Sequence, residues 1–98
     1  MFTRSPGQPS QRPFYYPALA AAQNVGGVNG GILLGLYATN EGASTAYLTV
    51  ADSNGTLYKI AVPAGQTVPI RGVSDGREYS GQLSITPSAA LDVTVELA

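Results

Sequence analysis

Period-two alternation dominates the later part of the chain and is missing from its beginning. Residues 91–97 set Leu91, Val93, Val95 and Leu97 on one side and Asp92, Thr94 and Glu96 on the other. Residues 78–86 do the same, with Tyr79, Gly81, Leu83 and Ile85 opposing Glu78, Ser80, Gln82 and Ser84. Such patterning marks antiparallel strands with one wet face. Four other runs predict further strands. Residues 32–39 align Ile32, Leu34 and Leu36; residues 45–51 align Ala46, Leu48 and Val50; residues 56–62 align Tyr58, Ile60 and Val62. Residues 66–71 form a brief fourth run, and Pro69 within it predicts an edge or a bulge. Turn signals separate them: Asn40-Glu41-Gly42-Ala43-Ser44, then Asp52-Ser53-Asn54-Gly55, then Pro63-Ala64-Gly65, then residues 72–77. Asn-Gly tolerates the positive φ that a hairpin needs. About six strands at this spacing predict an all-β fold, a small antiparallel β-sandwich, Ig-like or jelly-roll-like, over residues 31–98.

Residues 1–30 read differently. They carry Pro6, Pro9, Pro13 and Pro17, with the cluster Phe14-Tyr15-Tyr16 between the last two. The pattern predicts an extended N-terminal arm with polyproline-like stretches. Residues 17–23 predict a short helix, since proline suits a first helical position and alanine favours helix. Val25-Gly26-Gly27-Val28-Asn29-Gly30-Gly31 reads as a flexible hinge. The arm lacks the apolar surface to offset its own ordering entropy. We therefore read it as a segment that orders on a partner in a larger assembly. Thirty extended residues reach about 100 Å at ~3.3 Å each, enough to cross a neighbouring subunit.

Charge sharpens this division. Only 11% of residues are charged and the net charge is −1. The arm holds Arg4 and Arg12 and no acids; the body holds Lys59, Arg71 and Arg77 against six carboxylates. A slightly basic arm on an acidic body suits an acidic protein surface. Two arginines fall short of a nucleic-acid footprint. The chain has no cysteine and no histidine, which removes the usual zinc ligands and most nucleophile–base pairs. No stretch is long enough to span a membrane. The N-terminus has no charged-then-apolar leader, so synthesis in a cytoplasm without export is the expectation.

Candidate chemistry is sparse. The glycine run precedes a strand, whereas a phosphate-binding loop follows one and opens a helix. Asn54-Gly55-Thr56 matches a glycosylation sequon but is also the expected hairpin turn. Asp92 and Glu96 share a wet strand face, and Asp75, Arg77 and Glu78 sit near one loop; solvated carboxylates and a loop ion pair account for them. No enzyme activity, cofactor, metal or small-molecule substrate is expected. The aromatic cluster stands out. Aromatics bury about 150–250 Å² each and dominate interfaces, while the flanking prolines reduce the entropy lost on docking. Arg4, Arg12, Phe14, Tyr15, Tyr16 and Leu19 are the predicted partner-binding residues of the arm. Packing of the cluster against the chain's own sandwich is the competing reading.

From residue 37 to residue 73 the chain is similar to small β-sandwich virion proteins of tailed bacteriophages. The likeness lies in Ala38-Thr39-Asn40, Val50-Ala51-Asp52, and the run from Gly55 through Val62-Pro63-Ala64-Gly65-Gln66-Thr67-Val68-Pro69-Ile70. It most resembles capsid cement, or decoration, proteins. The resemblance implies a structural virion protein on the capsid exterior. Its partner would be the major capsid protein, with self-association as a homotrimer, and its arm would drape over neighbours. No nucleic acid, membrane or small molecule is implied as a partner. A head–tail connector or tail component is the alternative. A surface- or carbohydrate-binding module of a bacterial envelope protein is a third, for which Tyr37, Tyr47, Tyr58 and Tyr79 are the available aromatics.

Overall fold

The strand at residues 91–97 organises the molecule. The computed structural model describes residues 14–71 and 76–98. Among these it contains nine strands and no helix: β1 (Phe14–Leu19), β2 (Gln23–Val25), β3 (Gly31–Thr39), β4 (Ala46–Asp52), β5 (Gly55–Val62), β6 (Thr67–Arg71), β7 (Arg77–Tyr79), β8 (Leu83–Pro87) and β9 (Leu91–Leu97). One sheet runs β1-β9-β3-β6, with β7 also on β3; the other runs β2-β8-β4-β5. Every pairing is antiparallel. In β9, Leu91, Val93, Val95 and Leu97 are buried. They meet Leu48, Val50, Leu83 and Ile85 of the other sheet in one apolar cluster. The all-β sandwich expected from the alternation is the observed fold.

Three elements differ from the sequence reading. The expected strand over residues 78–86 is two strands in different sheets. β7 pairs with β3, and β8 pairs with β2 and β4. The chain crosses between sheets at Gly81, whose φ is +67°. The alternation runs on through the crossing because Tyr79, Leu83 and Ile85 all face the shared core. Period two reports which side is buried, not which sheet the residue joins.

The face of β3 is also reversed at its start. Leu33, Gly35, Leu36 and Ala38 are buried, while Ile32 and Leu34 are only half-buried. A register shift between Leu33 and Gly35 against β9 inserts one extra residue and flips the alternation. The run Ile32-Leu33-Leu34-Gly35-Leu36 is apolar on both faces, so its pattern alone could not fix the register.

The largest difference is at the N-terminal side. Residues 17–23 are strand and turn rather than a helix, and the sandwich takes in residues before position 31. β1 adds to β9 and β2 adds to β8. Val25 is fully buried, and Tyr16 and Leu19 pack on the core. A helix this short cannot offset its nucleation cost. The edges of β9 and β8 offer backbone partners instead. Pro17 has no N–H to give, and it falls in the irregular register between Tyr16 and Leu19 on an edge strand, where that lack is tolerated. Pro69 likewise sits in the edge strand β6, opposite Tyr37.

Asn40 closes one end of the sandwich. It is the one buried polar residue among those described, at 2% exposure. Its Nδ2 donates to Ser44 O at 2.7 Å and to Val62 O at 2.8 Å. Its Oδ1 accepts the Gly42 N–H at 2.8 Å. Its backbone bonds Gln66 O and the Gly65 N–H. One side chain thus joins the β3–β4 loop to the β5–β6 turn.

Candidate functional site

β1 presents the aromatic cluster at the rim of the sandwich. Residues directly opposite in an antiparallel ladder share a face. Phe14 and Tyr16 lie opposite Val95 and Val93, both buried, so they face the seam between the sheets. Tyr15 lies opposite Thr94 and points outward. Tyr15 is 60% exposed and Phe14 39%. Tyr16 and Leu19 are half-buried against the protein's own core. Burial pushes the Tyr16 phenol up from its ordinary pKa. The cluster is therefore split: one half anchors β1 to the sandwich and the other half remains open. Arg4 and Arg12 lie outside the described residues.

A carboxyl pair fixes the far end of β1. Ala18 has a φ of +48°, left-handed for a residue with a Cβ. Its N–H donates to Asp92 Oδ1 at 2.7 Å. Asp92 also accepts a hydrogen bond from the Glu41 carboxyl. That contact, followed by the Ala18 N–H, holds the Asp92 pKa down. The same contact with Asp92, and then its charge, raises the Glu41 pKa. Both acids line a cleft of about 620 Å³. Among the described residues no Lys or Arg lines it; Ala18, Asn40, Ser44 and Ala90 are among its walls. The partner of Asp92 is thus Glu41. Glu96, four residues along β9, lies ~13 Å away by strand rise. Sequence spacing gave no signal of the Glu41 contact, because loop and strand meet only through the fold.

Asp52 organises the opposite end. Its Oδ1 accepts the Asn54 N–H at 2.8 Å and its Oδ2 accepts the Ser80 N–H at 2.9 Å. These two bonds, the Ser80 one first, draw its pKa below the usual carboxylate value. Ser53 adds two bonds to Ser80 O, so the β4–β5 hairpin is tied to the crossing before β8. Arg77 lies 5.5 Å over the Tyr58 ring. Asp75 lies outside the described residues.

Of the four body tyrosines, Tyr79 is buried and Tyr37 and Tyr58 are half-buried. Tyr47 is 48% exposed. With Thr49, Lys59, Thr86, Pro87 and Ser88 it lines a shallow groove of about 240 Å³ on the outer face of the β2-β8-β4-β5 sheet. Among the described residues, no group of three or more His, Cys, Asp or Glu is placed to hold a metal ion. No family model, curated protein or solved structure matches this chain.

Proposed function

We propose that this chain is a structural protein of a tailed-phage virion, a capsid cement protein. In this reading the sandwich sits on the outer surface of the major capsid protein shell. The arm, led by Phe14 and Tyr15, grips a neighbouring subunit. One observation carries the reading. β1 is an edge strand locked to the core by Tyr16 and Leu19, yet it leaves Tyr15 and Phe14 open at the point where residues 1–13 join in sequence. A tether works only if its root is fixed to the body that it tethers. The low charge and the motif around Asn40 support the same reading. That motif is a joint between loops, as expected of a scaffold that transmits load.

Cementing follows from multiplicity. Each copy adds a modest contact across a joint, and the copies must release together for the shell to open. Arg4 and Arg12 would contribute screened, exposed ion pairs to the shell. Assembly as a homotrimer belongs to the proposal by resemblance alone. The test is to image intact particles of the encoding virus with this protein labelled. Regular copies on the head exterior support the proposal. Label at the neck or tail would favour the connector reading.

The groove beside Tyr47 favours one other reading, a carbohydrate-binding face. Binding of soluble glycans lost on Tyr47→Ala, with no head-bound copies, would select it.

A further inference from the structure

We propose that the Asn54–Gly55 peptide at the tip of the β4–β5 hairpin is a site of spontaneous succinimide formation, and that Asp52 restrains it. Asn54, Gly55 and Thr56 are all exposed. Asparagine is among the thermally labile residues, and glycine has no side chain to shield its backbone nitrogen. In the reaction the Gly55 nitrogen loses its proton and attacks Asn54 Cγ. A C–N bond closes a five-membered ring, and the side-chain amide leaves as ammonia, taking up a proton. Water then adds to either ring carbonyl and reopens it, giving aspartate or isoaspartate. Water enters and ammonia leaves, and no oxidant or cofactor is needed.

The restraint comes from the geometry of the turn. The positive φ of the tip falls on Gly55, at +127°, and not on Asn54. Asp52 and Gly55 are the closing pair of the ladder. The Asp52 carboxylate accepts the Asn54 N–H at 2.8 Å and also bonds the Gly55 N–H. The attacking nitrogen is thus held against an anion. Losing its proton there would place two negative charges side by side, which is disfavoured. The other Asn-Gly pair, Asn29–Gly30, has its glycine nitrogen committed to Gly81 O at 2.9 Å.

The product would matter to the fold. Either product adds a negative charge two residues from Asp52, and isoaspartate lengthens the backbone within a tight turn. Both act on the residues that tie this hairpin to Ser80. The modification is then an ageing mark that loosens one end of the sandwich.

The test ages three samples together in warm, mildly alkaline buffer: the full chain, its Asp52→Asn variant, and a peptide of residues 50–58. Mass-resolved peptide mapping reads aspartate and isoaspartate at position 54. The peptide should convert fastest, the folded wild type at least about tenfold more slowly, and Asp52→Asn at a rate between them. Equal rates in peptide and wild type would overturn the restraint. Equal, slow rates in wild type and folded Asp52→Asn would remove Asp52 from it. No product in folded Asp52→Asn, while the peptide converts, would overturn the site itself. If Asp52→Asn does not fold, the peptide and wild-type rates still decide the restraint.

Discussion

Asn40 Nδ2 donates to the carbonyl of Val62 across 22 positions of sequence, at 2.8 Å, with both residues buried. That bond, with those to Ser44 and Gly42, makes Asn40 the peg between the two ends of the Val62-Pro63-Ala64-Gly65 turn and the loop after β3. Its value lies in what its loss would leave behind: buried backbone groups with no partner.

Asn40→Ala should therefore cost about 3 kcal/mol, three bonds at about 1 kcal/mol each. For a domain of this size that is a fall in Tm of roughly 15 °C. Asn29→Ala, at an exposed position, should stay within about 0.5 kcal/mol of wild type. Urea unfolding of both variants checks the contrast. Equal stability of the two would mean that the peg carries no load.

Limited proteolysis should now give a fragment that begins close to Phe14. The composition of residues 1–30 alone places the boundary near Gly31; the pairing of β1 and β2 moves it upstream. Removing residues 1–25 would bare the edges of β9 and β8 and vacate the site of Val25. That truncation should be poorly soluble or unfolded, while removal of residues 1–13 should leave Tm nearly unchanged. Mass spectrometry of the resistant fragment and thermal melts of both truncations check this. A stable fragment starting at residue 31 would contradict the structure.

The body was legible in the sequence because one-sided burial writes itself as alternation. In β4, β5 and β9 the alternation marks the buried face: Ala46, Leu48, Val50, Val62, Val93 and Val95 are all buried. What was not legible is informative. β1 and β2 are edge strands whose stability comes from β9 and β8, so their own residues carry no complete pattern. The stretch at 17–23 favours helix by local propensity, and tertiary pairing overrides it. The bulge in β3 lies in a run that is apolar on both faces. The Glu41–Asp92 contact joins positions 41 and 92, and nothing local marks it. That Tyr15 points outward while Phe14 and Tyr16 face the seam follows from register, which composition does not contain.

Stability should depend on pH through acids shifted in opposite directions, Asp52 and Asp92 downward and Glu41 upward. The folded pKa of Asp52 is lowered from 3.8. Its contribution is therefore complete above 3.8 and is lost as pH falls through the lowered value. Asp52→Asn should be less stable than wild type at neutral pH, and the gap should close in acid. The folded pKa of Glu41 is raised from 4.5. Its contribution is complete below 4.5 and is lost as pH rises through the raised value. Glu41→Gln keeps a donor for Asp92 at every pH, so it should match wild type in acid and exceed it at neutral pH. Both groups are exposed, so the effects should be small and should shrink with salt. Thermal melts across an acid-to-neutral pH series check both signs. Parallel curves for all three proteins would contradict the assignments.

The central claim is that the sandwich holds its shell through the arm rooted at β1. It is tested by adding wild type, a truncation lacking residues 1–13, and the double variant Phe14→Ala/Tyr15→Ala to shells stripped of the protein. Bound copies are then counted, and the particles are heated. Tyr16 is left intact because it supports the fold, and matching Tm values establish that all three proteins are folded. Truncating one buried aromatic anchor costs about 2 kcal/mol, roughly thirtyfold in site affinity. Both altered proteins should therefore occupy few sites at concentrations where wild type saturates, and their particles should open at lower temperature. Equal occupancy and equal heat resistance in all three would contradict the claim and assign attachment to the sandwich itself.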